Sequence, residues 1–443
     1  MPSTLRLSLS ASAALVAWLA SSAAPASAKP CVQFDASWNL YAFGGTEDVS
    51  LGQNTTWGSP TASPLTTTGR PPWTGNNTQC FLSQYNNAMY VLNADASNPS
   101  DIYVFNFDAK SWSKQATSSA PDLSTGTSIL DHDTNVFFTL PSGSSASLYQ
   151  LDFGTITNAA SSSAAAWEAV SATSFQQGGQ GAVLAEASNH ITFFNVPNNP
   201  AGSANMFVVH YSYFQPEAVA YKTVNNAAAN FPTQHGKAIG VPTTDNSAGD
   251  VMVFVPDDFS NSYVVTHWTS PSTAGQTSDA PAGIADYINS TQTFSAPTSH
   301  DTDSSYAASD SAMVQIDSTG ALYYVTGAFG NGWQVPSGLS WQKLGYTLAG
   351  VTSTGSSNSS STSSSTAASS SATASRSGAA SSGAAAASSS AASKTSSAGA
   401  SAGSAAASAS ASAKTGGALR SLNGLEVTLV SVALSCFGLA LVF

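Results

Sequence analysis

Short runs of aromatic and β-branched residues, each closed off by Gly, Pro, Asn, Asp or Ser, recur along the chain between Asn39 and Val325. The earlier ones are Asn39-Leu-Tyr-Ala-Phe43, Ala88-Met-Tyr-Val-Leu92, Ile102-Tyr-Val-Phe105, Val136-Phe-Phe138 and Leu148-Tyr-Gln-Leu151. The series continues with Ile191-Thr-Phe-Phe194, Met206-Phe-Val-Val209, Val251-Met-Val-Phe-Val255, Tyr263-Val-Val265 and Ala321-Leu-Tyr-Tyr-Val325. Such residues pack well on a pleated surface and the residues between them favour turns, so each run predicts a strand. Amphipathic helical windows are scarce. Ala159 to Ala166 is Ser/Ala repetition with no apolar stripe.

The runs also repeat as a unit. Met89-Tyr-Val-Leu is followed by Asp101-Ile-Tyr-Val-Phe-Asn-Phe-Asp108 and then Ser111-Trp112. The same order returns from Val136 through Phe153 to Trp167, from Ile191 through Tyr211 to the region of Val219, and from Val251 to Trp268. Trp57, Trp112, Trp167, the Val219 region and Trp268 thus lie roughly 50 to 55 residues apart. Each unit reads as an inner hydrophobic strand, a second strand and an outer strand entered at Trp, which is one four-stranded blade. The expected fold is all-β, a β-propeller of six or seven blades; paired β-sandwiches or a β-helix are the alternatives. Ser270 to Asp310 is too irregular to assign. Ring closure would pair the strand after Pro30 with strands near Trp341 in one blade.

The pattern stops near Leu348. From residue 349 to 415 the chain is almost wholly Ser, Ala, Thr and Gly, with no large apolar side chain after Val351 to offset the entropy of ordering it. This segment reads as a disordered, O-glycosylated stalk. Both ends read as addressing signals. Arg6, an apolar run around Ala13 to Ala20 and Ala26-Ser-Ala28 form a secretory signal peptide over residues 1–28. Residues 416–443 place small residues, a polar spacer from Arg420 to Glu426 and an apolar tail from Val427 to Phe443 in the order of a GPI-anchor signal. A spanning helix is the alternative, but no basic residue follows Phe443. The division is therefore signal peptide 1–28, propeller-like extracellular domain 29–348, stalk 349–415 and anchor signal 416–443.

Composition sharpens this. Charged residues are 8% of the chain and the net charge is -12, which disfavours nucleic acid and anionic lipid as partners. Solubility falls to uncharged polar residues and to glycans, for which Asn54, Asn76, Asn289 and Asn358 begin acceptor sequons. Of the three cysteines, Cys436 lies in the tail. Cys31 and Cys80 are expected to form one disulfide in an oxidising compartment; two buried free thiols are the alternative. In a closed ring, that bridge would hold the closure.

Two segments carry a family resemblance. Asn39-Leu-Tyr-Ala-Phe-Gly-Gly45 resembles the apolar strand and Gly-Gly of a Kelch blade, and Ile102-Tyr-Val-Phe-Asn-Phe-Asp-Ala-Lys-Ser-Trp112 resembles the same family's strand, acidic turn and Trp. Gly178-Gly179 lacks the preceding apolar run, so the likeness is patchy across Cys31 to Leu348. The copper-radical oxidases that use a Kelch-like propeller need a free Cys cross-linked to Tyr. Here both remaining cysteines are expected in a disulfide.

No catalytic, cofactor or metal site is expected. The six histidines show no zinc spacing. Asp131-His132-Asp133 reads as a solvated turn, and His300-Asp301-Thr-Asp303 lacks the Gly and Glu of a calcium loop. His210 and His267 occupy matching places near strand ends, as packed residues. Trp73 in Arg70-Pro-Pro-Trp73 and Trp333 in Gly330-Asn-Gly-Trp-Gln334 look exposed and suited to stack on a sugar face, with packing between blades as the alternative. The chain therefore reads as a GPI-anchored extracellular glycoprotein, at the outer plasma membrane or cell wall, of a type resembling fungal surface proteins. Its head would be a non-catalytic recognition or adhesion module for glycans or surface proteins. An extracellular carbohydrate-active enzyme is the competing class, discriminated by two acidic side chains converging at the channel mouth. Asp131, Asp250, Asp257, Asp258 and Asp310 are the acids available for that. A structural wall protein with no specific ligand is a third reading.

Overall fold

The computed structural model describes residues 29–143, 146–223, 225, 227–267, 290–329 and 335–351. Within them the chain forms six successive antiparallel meanders. Blade 1 comprises Cys31–Phe34, Leu40–Phe43, Val49–Gly52 and Ser63–Pro64. Blade 2 comprises Gln79–Ser83, Ala88–Leu92, Ile102–Asn106 and Ser111–Gln115. Blade 3 comprises Thr127–Asp131, Val136–Leu140, Ser147–Asp152 and Ala165–Ala172, with Thr117–Ser118 added in parallel at its edge. Blade 4 comprises Val183–Ala187, His190–Phe194, Ser203–Val208 and Tyr213–Phe214, and Val219–Ala220 pairs with its third strand. Blade 5 comprises Gly236–Val241, Val251–Pro256, Ser262–Thr266 and Ser290–Phe294. Blade 6 comprises Ser305–Ala308, Ala312–Ile316, Ala321–Thr326 and Gln342–Thr347. The first strands touch in chain order, and that of blade 6 returns to that of blade 1. The fold is a six-bladed β-propeller.

All ten predicted runs are strands, and every one is the second or third strand of its blade. Those strands are covered on both faces by neighbouring blades, so Ala88–Leu92, His190–Phe194 and Ala312–Ile316 are buried at every position. The innermost strands escaped the sequence reading. Gln79–Ser83, Thr127–Asp131 and Gly236–Val241 line the central channel and mix polar with apolar residues. The strand expected to be innermost in each unit is therefore the second. Trp112 and Trp167 do enter fourth strands, and Trp57 is buried just before one. Trp268 lies outside the described residues.

The hydrophobic core is divided among the six seams between blades. Tyr41, Phe43, Met89, Phe105 and Trp112 fill the seam of blades 1 and 2. Leu40, Val314, Leu322 and Leu344 fill the seam of blades 6 and 1. Closure differs from the expected shared blade, because blade 1 is built wholly from the N-terminal segment and blade 6 wholly from the C-terminal one. Both blades are already complete, so no strand remains to exchange. The seam is held by side-by-side packing, by Thr46 N donating to Ala349 O at 2.7 Å and Gly345 N to Trp57 O at 3.0 Å, and by a 2.8 Å Lys29–Asp303 ion pair. Gly45 permits this approach, since a Cβ there would sit 2.4 Å from Ala349 O.

Cys31 and Cys80 are disulfide-bonded. They join the first strands of blades 1 and 2, one seam away from the closure they were expected to hold. Reduction, or the double substitution Cys31→Ala with Cys80→Ala, is expected to lower stability by about 4 kcal/mol through the entropy of the freed loop. Denaturant unfolding of both forms measures this; an unchanged midpoint would show that the closed ring itself holds the two strands.

Candidate functional site

The first strands of blades 2 to 6, with Gln33 of blade 1, enclose a central cavity of about 180 Å³. Its walls are mostly apolar, including Leu82, Ile129, Leu184 and Ile239, with Gln84, Ser128, His132, Glu186 and Tyr306 among them. Residues 242–250, which join the first two strands of blade 5, form a strap over one mouth. Thr243 O accepts from Gln84 Nε2 of blade 2 at 2.7 Å, and blade 2 stands opposite blade 5 in a six-membered ring. His132 Nε2 of blade 3 lies 3.3 Å from Asn246 Oδ1. Ser188 of blade 4 donates its backbone N–H to Gly249 O at 2.8 Å and its hydroxyl to Asp250. The strap is thus tied to three blades besides its own.

Turn chemistry builds this face. Asn87, Asn135 and Asn189 each precede a second strand with left-handed φ of 47°, 57° and 59°. Asparagine tolerates that conformation and suits tight hairpins. Each side chain also crosses a seam: Ala36 N donates to Asn87 Oδ1 at 2.9 Å, Ser83 Oγ to Asn135 Oδ1 at 3.1 Å, and Asn189 Nδ2 to Asp133 Oδ2 at 3.0 Å. A polar ladder results. Asn189 Nδ2 also lies 3.1 Å from His210 Nε2, and His132 Nδ1 lies 2.9 Å from Asp133 Oδ1. Burial works against the Asp133 carboxylate, yet hydrogen bonds from His132 and Asn189 hold it below the usual carboxylate range.

Beneath the ladder, Asp131 and Glu186 approach each other across the seam of blades 3 and 4, whose first strands are in contact. Asp131 Oδ1 and Glu186 Oε1 are both buried with no hydrogen-bond partner. Glu186 Oε2 accepts the His132 N–H at 3.3 Å, and Asp131 Oδ2 caps its own turn through Thr134. Burial and the adjacent Asp131 carboxylate push Glu186 well above the usual carboxylate range. Two acids therefore do converge at the channel. Glycosidic cleavage needs carboxylates about 5 to 10 Å apart with the sugar between them, whereas here one oxygen of each acid is shut off from solvent.

The large hydrophobic residues exposed among the described residues are Tyr85 at 79%, Tyr211 at 57% and Tyr213 at 48%. Tyr85 lies in the first turn of blade 2, beside Gln84. Tyr211 follows His210 in the turn between the third and fourth strands of blade 4. In an antiparallel meander those two kinds of turn leave at the same edge, so the tyrosines share the strap's face and flank the ladder.

Other expected residues fall elsewhere. Trp73 is 5% exposed, stacked on Phe43 and edge-on to Trp112 with the Arg70 guanidinium over its ring, so it is a core residue and not a sugar platform. Its Pro-rich surroundings suggested a loop, and the loop folds inward over the seam of blades 1 and 2. Trp333, Asn289 and Asn358 lie outside the described residues, as do 1–28 and all but the first residues of the stalk. Asn54 and Asn76 are exposed. His267 is buried against His190, with ring centroids 4.5 Å apart, whereas His210 is exposed in a 3-10 turn, so their places do not match. Asp257 pairs with His235 at 2.7 Å, and Asp258 accepts from Ser260 N. Asp303 pairs with Lys29, and Asp301 accepts from Ser318 N at 2.6 Å, so the calcium-like loop is engaged internally. Among the described residues no three His, Cys, Asp or Glu side chains form a metal cluster, and no helix is long and apolar enough to cross a membrane.

No protein-family model matches the chain, and no curated protein matches its sequence. A chain from the crystal structure of a nidogen/laminin complex is similar with a TM-score of 0.33 and 9% identity, over 55% of this chain and 77% of that one. The propeller assignment rests on the strand topology.

Trp73→Ala is expected to cost about 3 to 5 kcal/mol of stability, as for other buried aromatics. Thermal unfolding tests it; an unchanged melting temperature would return Trp73 to the surface.

Proposed function

We propose that this chain is a recognition or adhesion protein whose propeller head stands outside the cell on a glycosylated stalk and GPI anchor, with glycans or surface proteins as ligands. The observation that carries the reading is the strap face: exposed tyrosines beside a ladder of Asp133, Asn189, His132, Asn246 and His210. Tyrosine offers a large contact area at low entropic cost and stacks on the apolar face of a sugar, while planar amides and carboxylates take up hydroxyl hydrogen bonds. The end signals, the exposed Asn54 and Asn76 sequons and the Kelch-like segments accord with an extracellular head of the fungal surface type. The burial of Asp131 Oδ1 and Glu186 Oε1 away from solvent turns the reading away from a propeller glycosidase.

The secreted full chain, applied to a glycan array, is expected to bind saturably. Tyr85→Ala and Tyr211→Ala should each weaken binding at least about fivefold without shifting the melting temperature, since neither ring is buried. Retention of full binding by both variants would move the site off this face. Hydrolysis or oxidation of the arrayed sugars in place of binding would overturn the recognition reading.

A further inference from the structure

The proposed recognition surface rests on an acid pair that its ligand contacts do not use, Asp131 buried and Glu186 half-buried against the channel. Asp131 ends the first strand of blade 3, and Glu186 lies one residue from the end of the first strand of blade 4. Three connections run outward from that pair. Glu186 Oε2 holds the His132 N–H, and the His132 ring meets Asn246 of the strap. Ser188, two residues past Glu186, binds Gly249 and Asp250 at the strap's far end. The first strand of blade 5 presses directly on Glu186, since a Cβ on Gly240 would lie 2.8 Å from Glu186 O. Four blades therefore meet the strap around one pair of carboxyl groups: blades 3 and 4 carry the acids, blade 5 packs on them, and blade 2 holds Thr243 through Gln84.

We propose that the Asp131–Glu186 pair is a proton-operated latch: with one proton shared it locks blades 3 and 4 together beneath the strap, and loss of that proton frees the strap and the polar ladder it carries. The latch leans on the recognition reading only for what the freed or closed face binds. Two neighbouring carboxylates, each with an oxygen shut off from solvent, repel strongly, and separation relieves them. The titratable groups on the elements packed round the pair are His132 and Asp133 of blade 3, His210 of blade 4, Asp245 and Asp250 of the strap, Tyr306 across the channel, and Lys237 on the first strand of blade 5. The one lysine among these, Lys237, is set among Lys29, Asp257, Asp301 and Asp303 and not beside the pair, so it does not compensate a second negative charge there.

The direction follows from linkage. Unfolded, Glu186 ionises near about pH 4.3. Folded, burial and Asp131 raise that value, so the native state holds the proton longer. The stability from the latch is complete below the unfolded value and is lost as pH rises through the folded one. His267 acts oppositely: burial and His190 hold its imidazole well below the usual value, so it lowers stability as pH falls below about 6.5. A comparison with Glu186→Gln, which keeps the shape and cannot ionise, cancels the His267 contribution.

Amide hydrogen exchange of residues 243–250 and of Ser188, corrected for intrinsic rates, tests the latch in the full chain from pH 4 to 8. Wild-type protection is expected to fall by roughly tenfold per pH unit once the pair begins to ionise, while Glu186→Gln stays flat. Parallel profiles in the two proteins would overturn the latch. Should the variant fail to fold, infrared spectroscopy of the wild type decides: a protonated carboxyl stretch persisting at pH 6 supports the shared proton, and its absence refutes it. Neither readout uses a ligand, so failure here leaves the recognition reading standing, and an empty glycan array leaves the latch standing.

Discussion

A ring of blades is stable only if every seam is filled at once. Each blade here is a twisted sheet with two apolar faces, and it cannot cover either face alone. Five seams are helped by the chain itself, which runs from one blade to the next. The sixth, between blades 6 and 1, has no covalent link, and no shared strand stands in for one. Its packing is correspondingly close: Gly45 under Ala349, the Trp57 carbonyl on Gly345, and Lys29 against Asp303. The Cys31–Cys80 bridge stiffens the neighbouring seam, so blade 1 is braced on one side covalently and on the other by fit.

The same closure makes the strap face. Side-by-side blades bring the first turns of successive meanders to one edge, and a left-handed Asn at three of those turns reaches across to the blade before it. The ladder of Asp133, Asn189, His132 and His210 extends the same seam contacts toward solvent. The strap then converts a ring of separate turns into a continuous surface, because it is bonded to blades on three sides of the channel. Rigid strands below and a bonded strap above give preorganised polar groups, which lowers the cost of binding.

Burial decides which acids and aromatics can take part. Asp131 was visible in the chain as one of several acids, while Glu186 was not singled out, because its partner lies in another blade. Trp73 and Tyr85 show the converse. Both sit in loops between strands, yet one is folded into the core of blades 1 and 2 and the other stands in solvent. Loop position alone does not separate them; the direction of the loop relative to the neighbouring blade does.

The chain alone determined the all-β class, the repeat and the second and third strands of the blades. Those strands are buried on both faces, so their hydrophobicity is a local property that survives in one dimension. It also pointed to the Cys31–Cys80 pair, through cysteine count and an expected oxidising compartment. The six-fold count, the mode of closure, the innermost strands, the approach of Asp131 to Glu186 and the strap over the channel were decided by tertiary structure. Each depends on groups far apart in the chain being brought together by ring geometry. Mixed polar and apolar residues facing a channel carry no period by which such partners are read.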